Sequence, residues 1–108
     1  MIVIESDKCV FCDIDDTLII WDKMHATYRP HKEHIALLRR FHKRGQPVIF
    51  WSAGGYEWCV HVVKELGLEE IATVCMAKPA WWVDDLTANE VLFESSRIYI
   101  KPTEETVE

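Results

Sequence analysis

Residues 9–21 read CVFCDIDDTLIIW. An apolar run leads into three aspartates within four positions, Asp13, Asp15 and Asp16. Thr17 follows, and the chain turns apolar again. The run over 9–14 predicts a buried strand, because strands covered on both faces read as continuous rather than alternating apolar stretches. Its carboxyl end therefore carries a knot of negative charge, and the organisation of the rest of the chain decides what that knot meets.

Outward from this stretch, residues 18–30 read as irregular and end at Pro30. HKEHIALLRRFHKRG predicts a helix with Ile35, Leu38 and Phe41 as its apolar stripe and Leu37 beside them. Lys43 and Arg44 suit its last turn, and Gly45 the residue beyond it. On this helix His31, His34 and His42 read as a solvated face. PVIFW predicts a second buried strand. SAGG turns the chain into a second helix, with Cys59, Val62, Val63 and Leu66 on one face and Gly67 ending it. IATVC and AWWVDD predict a third and a fourth strand, which makes Trp81 and Trp82 strand and core residues. TANE has the form of a capping box on Thr87 and Glu90, with Leu86 and Val91 as its staple, and predicts a short helix to about Phe93. RIYI predicts a last strand, and the polar tail over 101–108 is expected to fray.

Strands that alternate with helices, several of them apolar throughout, indicate an α/β chain with a mostly parallel sheet and helices on both faces. The 108 residues suit one domain, and nearly half of them are apolar, enough for a core. A formal net charge of −6 disfavours nonspecific nucleic-acid binding and attachment to anionic membranes. The apolar runs are strand-sized, too short to span a membrane, and MIVIESDK is too short for a signal peptide, so the expected compartment is the cytoplasm. Cys9 and Cys12 form one C-x-x-C on a strand that points them to opposite faces. With Cys59 and Cys75 they read as reduced, small core residues; a redox or metal pair is the alternative.

In parallel sheets, sites lie at the carboxyl ends of strands. Those ends carry Asp13 and Asp15, then Ser52, then Lys78, then Asp84 and Asp85. Singly, each has a plain structural reading, as a turn former, a helix cap or a solvated lysine. Together they describe a site. If the first and fourth strands were neighbours, four carboxylates would converge, at a cost of several kcal/mol even at an effective dielectric constant of about 20. A hard divalent cation would relieve this. Carboxylate oxygens, with no His or Cys in these loops, suit Mg²⁺. Ser52 and the amide of Ala53 stand where a helix begins, at the positive end of its dipole, and this end accepts anions. Lys78 would add a cation. The pattern points to a phosphoryl group held between Mg²⁺ and a cationic cradle, with a carboxylate placed to attack it.

At these residues the chain resembles the haloacid dehalogenase superfamily. FCDIDDTL is similar to its first motif, VIFWSA to its second, Lys78 to its third and WVDDL to its fourth, in that order over residues 9 to about 93. The resemblance implies a three-layer Rossmann-like fold and a phosphatase. Asp13 would be the nucleophile that forms an aspartyl-phosphate, and Asp15 the acid–base partner. Asp13, the Asp15 carbonyl, and Asp84 or Asp85 would hold Mg²⁺. Ser52, Ala53 and Lys78 would hold phosphate oxygens, and Thr17 would support the turn. Asp16 stands where Gly is often found and has no catalytic role. The short intervals between motifs imply a capless protein with a flap at 19–29. Trp21, Met24, His25 and Tyr28 in that flap either touch substrate or pack the flap down. The open site suits a large substrate or one covered by another subunit of a homo-oligomer.

Only four residues separate Cys75 from Ala80, against the dozen or more that a parallel crossover needs. Either IATVC lies at an edge, or the strand bearing Asp84 arrives by an unusual path; Lys101 is a second candidate for the role of Lys78. A two-component receiver domain is disfavoured, since no Asp lies between Asp22 and Asp84. A catalytically idle binding or regulatory module is the rival reading. Small phosphate esters, phosphoproteins and phosphorylated nucleic-acid ends are all open as substrates, with nucleic acid disfavoured by the charge.

Overall fold

A computed structural model describes residues 1–103. Three parallel strands form the main sheet: β1 (Val10–Asp13), β4 (Val48–Ser52) and β5 (Ala72–Ala77), in the order β1-β4-β5. Between β1 and β4 run the antiparallel hairpin β2 (Ile19–Asp22) and β3 (Thr27–Pro30) and the helix α1 (Lys32–Lys43). Helix α2 (Tyr56–Glu65) links β4 to β5, and a single turn, α3 (Ala88–Val91), follows. The chain is thus α/β, as its alternating pattern predicts. The region 18–30 is a hairpin, which corrects the expectation of an irregular segment.

Register sets up the site. Asp13 pairs with Trp51, and Ser52 with Ala77, so the carboxyl ends of all three strands share one edge of the sheet. Central β4 is held from both sides; Val48, Ile49, Phe50 and Ser52 are all buried. The core gathers Cys12, Val48 and Phe50 with Cys59, Val62 and Val63 of α2, Leu38 of α1, and Ile14, Leu18 and Ile19 of the turn after β1. The four cysteines are free. Burial pushes the Cys12 and Cys59 thiols up to about 12. Thiols so reluctant to ionise are poor nucleophiles and poor metal ligands, although Cys9 lies outside the core.

AWWVDD is not a strand. The Lys78 N–H gives a last ladder bond to the Ser52 carbonyl (2.9 Å). Pro79, which has no N–H, comes next. Lys78 and Pro79 alone separate β5 from Ala80, too few for a parallel crossover, so among the described residues β1 keeps a free edge, and Trp81, Trp82 and Val83 are exposed. The assignment of Trp81 and Trp82 to the core is therefore corrected. Thr87 precedes α3, but its hydroxyl bonds the Glu90 carboxylate (2.9 Å) instead of a backbone N–H, and the helix stops at Val91.

RIYI is not a strand either; histidines take the backbone groups of Ile100. The Ile100 N–H donates to His34 Nε2 (2.9 Å), and the Ile100 carbonyl accepts from His31 Nε2 (2.7 Å). The two rings are buried and stacked 3.7 Å apart, which corrects the solvated-face reading. His31 also caps α1, its Nδ1 accepting from the His34 N–H (3.2 Å). His34 Nδ1 donates to the Thr17 carbonyl (2.7 Å). Both rings are therefore neutral, of opposite tautomers. The expected fraying of 101–108 concerns, from 104 on, residues outside those described.

A pH dependence follows. Burial holds the His34 pKa below its ordinary value of 6.5. Below about pH 6.5 the unfolded chain binds a proton that the folded ring resists, so stability falls as pH drops through that value towards the depressed one; above it, the ring is neutral in both states. The urea midpoint is expected to be lower at pH 5.5 than at pH 7.5, with a smaller difference in His34→Gln. An equal difference in both proteins would refute this linkage.

Candidate active site

The turn after β1 is built by hydrogen bonds to one carbonyl. Thr17, Leu18 and Ile19 all donate to the Ile14 carbonyl. The turn requires Asp16 to adopt φ 56°, a left-handed conformation that Asp tolerates better than most residues. Asp16 Oδ1 accepts the Trp21 N–H (3.3 Å) and its carbonyl the Tyr99 hydroxyl (3.4 Å). Asp16 is thus a turn residue.

Asp13 and Asp15 flank this turn in different surroundings. Thr17 Oγ1 donates to Asp13 Oδ2 (3.2 Å), and Lys78 Nζ lies 3.2 Å from Asp13 Oδ1. Lys78 is placed by the final ladder bond to Ser52, and its ammonium stands over the Trp51 ring, 5.8 Å from the centroid. Trp51 in turn packs on Phe11 at 4.7 Å. Asp15 Oδ1 accepts two indole N–H groups, from Trp21 (2.9 Å) and Trp58 (3.1 Å).

Beyond β4, buried Ser52 accepts the Gly54 N–H at its hydroxyl (3.0 Å), which curls Ala53 and Gly54 into a tight turn. Gly55 caps α2 with φ 105°, a conformation that favours glycine, and no side chain caps the first turn of this helix. Its amides are therefore available to an anion. Gly54 sits between the halves of the site: a Cβ there would lie 3.3 Å from Ser52 Oγ and 3.9 Å from Asp15 Oδ2.

The structure thus brings together Asp13, Asp15, Thr17, Ser52, Ala53 and Lys78. It does not bring Asp84 and Asp85 to them. Both are exposed on the segment that fails to form a strand, and among the described residues no three His, Cys, Asp or Glu side chains gather as metal ligands. Lys101 is exposed next to Ile100. In the flap, Trp21 and Tyr28 pack inward, while Met24 and His25 are exposed. Trp58 is the site residue that sequence reading missed. Its signal was its place six residues beyond Ser52, on the first turn of the helix that follows the phosphate-like loop.

A groove of about 790 Å³ leaves Asp13, Thr17 and Lys78 and follows the free edge of β1 to residues 91–99. Among the described residues no helix is long and apolar enough to cross a membrane.

Over residues 2–106 the chain matches the family described as "Protein of unknown function (DUF705)", and it belongs to that family. No curated protein and no solved structure matches it. The near full-length match to DUF705 replaces the resemblance to the haloacid dehalogenase superfamily, for which no family match or relative was found.

Proposed function

We propose that this DUF705 chain is a Mg²⁺-dependent phosphomonoester hydrolase that works through an aspartyl-phosphate on Asp13. The observation that carries the reading is the Lys78 ammonium 3.2 Å from the Asp13 carboxylate, beside the Ser52–Gly54 loop at the uncapped end of α2. A phosphoryl group between them would meet a nucleophilic oxygen, a cation and helix amides at once.

The chemistry balances with two carboxylates. An Asp13 oxygen attacks phosphorus; the bond from phosphorus to the ester oxygen breaks, and Asp15 delivers a proton to the departing oxygen. Asp15, now ionised, takes a proton from water, which attacks the aspartyl-phosphate. The P–O bond to Asp13 breaks and phosphate leaves. Ser52 Oγ, the Ala53 amide and Lys78 hold the phosphate oxygens; Thr17 keeps Asp13 in place.

The Asp13 carboxylate and the Asp15 backbone carbonyl are the groups that would hold Mg²⁺, an ion satisfied by one or two carboxylates, waters and substrate phosphate. The donor set fits: a carboxylate and a carbonyl, hard oxygens only, which leaves Asp15 Oδ2 for the proton. When bound, the ion would neutralise phosphoryl charge. Burial of both faces of β4 supports the finer fold type, three-layer and Rossmann-like with helices on the two sides.

One observation favours a second reading, a phosphate-binding module without turnover: Lys78 and Thr17 already engage both Asp13 oxygens, and Asp84 and Asp85 stand apart. Hydrolysis decides between them. With p-nitrophenyl phosphate, Mg²⁺ is expected to produce steady release of p-nitrophenolate that EDTA stops. No release from a broad phosphate-ester panel with Mg²⁺ or Mn²⁺, alongside measurable binding of inorganic phosphate, would leave only the binding module.

A further inference from the structure

We propose that Trp21 and Trp58 are positioning residues for Asp15: their indole N–H groups fix Oδ1 and leave Oδ2 as the oxygen that exchanges protons at the Ser52–Gly54 loop. The proton-exchange part rests on the phosphatase reading above; the anchoring does not.

A carboxylate at the end of one side chain can turn by half a rotation and present either oxygen. Here the turn is blocked. Two donors from different elements converge on Oδ1, Trp21 from β2 at 2.9 Å and Trp58 from the first turn of α2 at 3.1 Å. Indole is a donor with no acceptor, so these N–H groups are satisfied only by such an oxygen. The donors are themselves fixed. The two indoles are stacked, 6.1 Å apart, with their planes 16° from parallel. Tyr28 meets both edge-on, at 5.0 and 5.8 Å. The Tyr28 hydroxyl donates to Glu65 at the far end of α2 (2.8 Å), and His61 stacks on Trp58 at 5.6 Å. Oδ2 takes neither indole N–H and lies 3.9 Å from where a Gly54 Cβ would stand, a point 3.3 Å from Ser52 Oγ and 3.4 Å from Trp58 Cδ1.

One carboxylate oxygen therefore joins the turn after β1, the flap and α2, and the other is kept for chemistry. Trp21 is then a structural member of the flap whose contact is with Asp15.

The test uses the full chain with ¹⁵N-labelled indoles. Two of the five indole N–H resonances, assigned with Trp21→Phe and Trp58→Phe, are expected to shift and to lose exchange protection in Asp15→Ala, while the other three stay in place. If Asp15→Ala does not fold, Asp15→Asn keeps one acceptor and is expected to shift the same two. The Trp21→Phe/Trp58→Phe double variant, which keeps an aromatic ring at each position without its N–H, is expected to lower kcat on p-nitrophenyl phosphate about tenfold to a hundredfold, with KM within about twofold. Indole resonances that ignore Asp15, or an active wild type whose kcat survives the double variant, would overturn the proposal. A wild type without hydrolysis but with responding indoles would uphold the anchoring and defeat the phosphatase reading instead.

Discussion

Asp13→Asn is expected to lower Mg²⁺-dependent phosphate release by at least about 10³-fold while shifting the melting temperature little. Asn has the shape of Asp and can still accept the Thr17 hydroxyl, so the turn after β1 keeps its bonds. What it lacks is the anionic oxygen that would form the acyl-phosphate. Loss of the ion pair to Lys78 contributes little to folding, since both side chains are about one-third exposed. Pairs of that kind are worth roughly 0–1 kcal/mol. Activity and stability should therefore separate: rates collapse and the melting curve stays. Initial rates on several esters, set beside thermal melts of the same preparations, check this. Wild-type rates in Asp13→Asn would remove Asp13 as nucleophile, whatever metal is present.

Phe50→Ala is expected to have the largest effect on stability, a loss of about 3–5 kcal/mol. Phe50 is fully buried on the central strand, paired with Cys12 on one side and Cys75 on the other. Its ring sits among Leu18, Ile19 and the α2 residues Val62 and Val63 in one cluster. Truncation removes apolar area and leaves a cavity that rigid strand backbones cannot close. Small domains hold only about 5–15 kcal/mol in total, so roughly a fifth or more of that would go. Urea unfolding followed by tryptophan fluorescence measures it, with Met24→Ala as a control at an exposed flap position expected to change stability by less than about 0.5 kcal/mol. A Phe50→Ala loss below about 1 kcal/mol would mean that β4 is not the centre of the core.

Both substitutions sit on strands that were legible in the sequence. CVFCDI and PVIFW are apolar on both faces, and such runs have few places to go except the interior of a parallel sheet. Asp13 and Ser52 were legible for the same reason, as residues at the ends of those strands, and Lys78 as the residue after the third strand. The fourth strand was not. AWWVDD has the composition of a buried strand, and composition cannot report that the chain lacks the length to reach a sheet edge; the four-residue gap before Ala80 was the local sign of this. The histidines failed differently. His31 and His34 sit beside charged residues in sequence and look solvated. Their partners, Thr17 and Ile100, lie far off along the chain, so no local pattern reveals that the rings are buried. Trp58 shares that fate, its partner Asp15 standing 43 positions away.

The latch formed by Tyr99 and Ile100 has a consequence for biosynthesis. Asp16 and Thr17 leave the ribosome before these partners do. Tyr99, which bonds the Asp16 carbonyl, is made 83 residues later. Ile100, which orients the ring of His34 on Thr17, is 66 residues beyond that histidine. Vectorial folding can thus assemble β1, β4 and α2 in order as they emerge, yet the aspartate turn lacks these partners until Ile100 clears the exit tunnel. While the residues between them are being made, the nascent chain carries its aspartate loop without its final fastening.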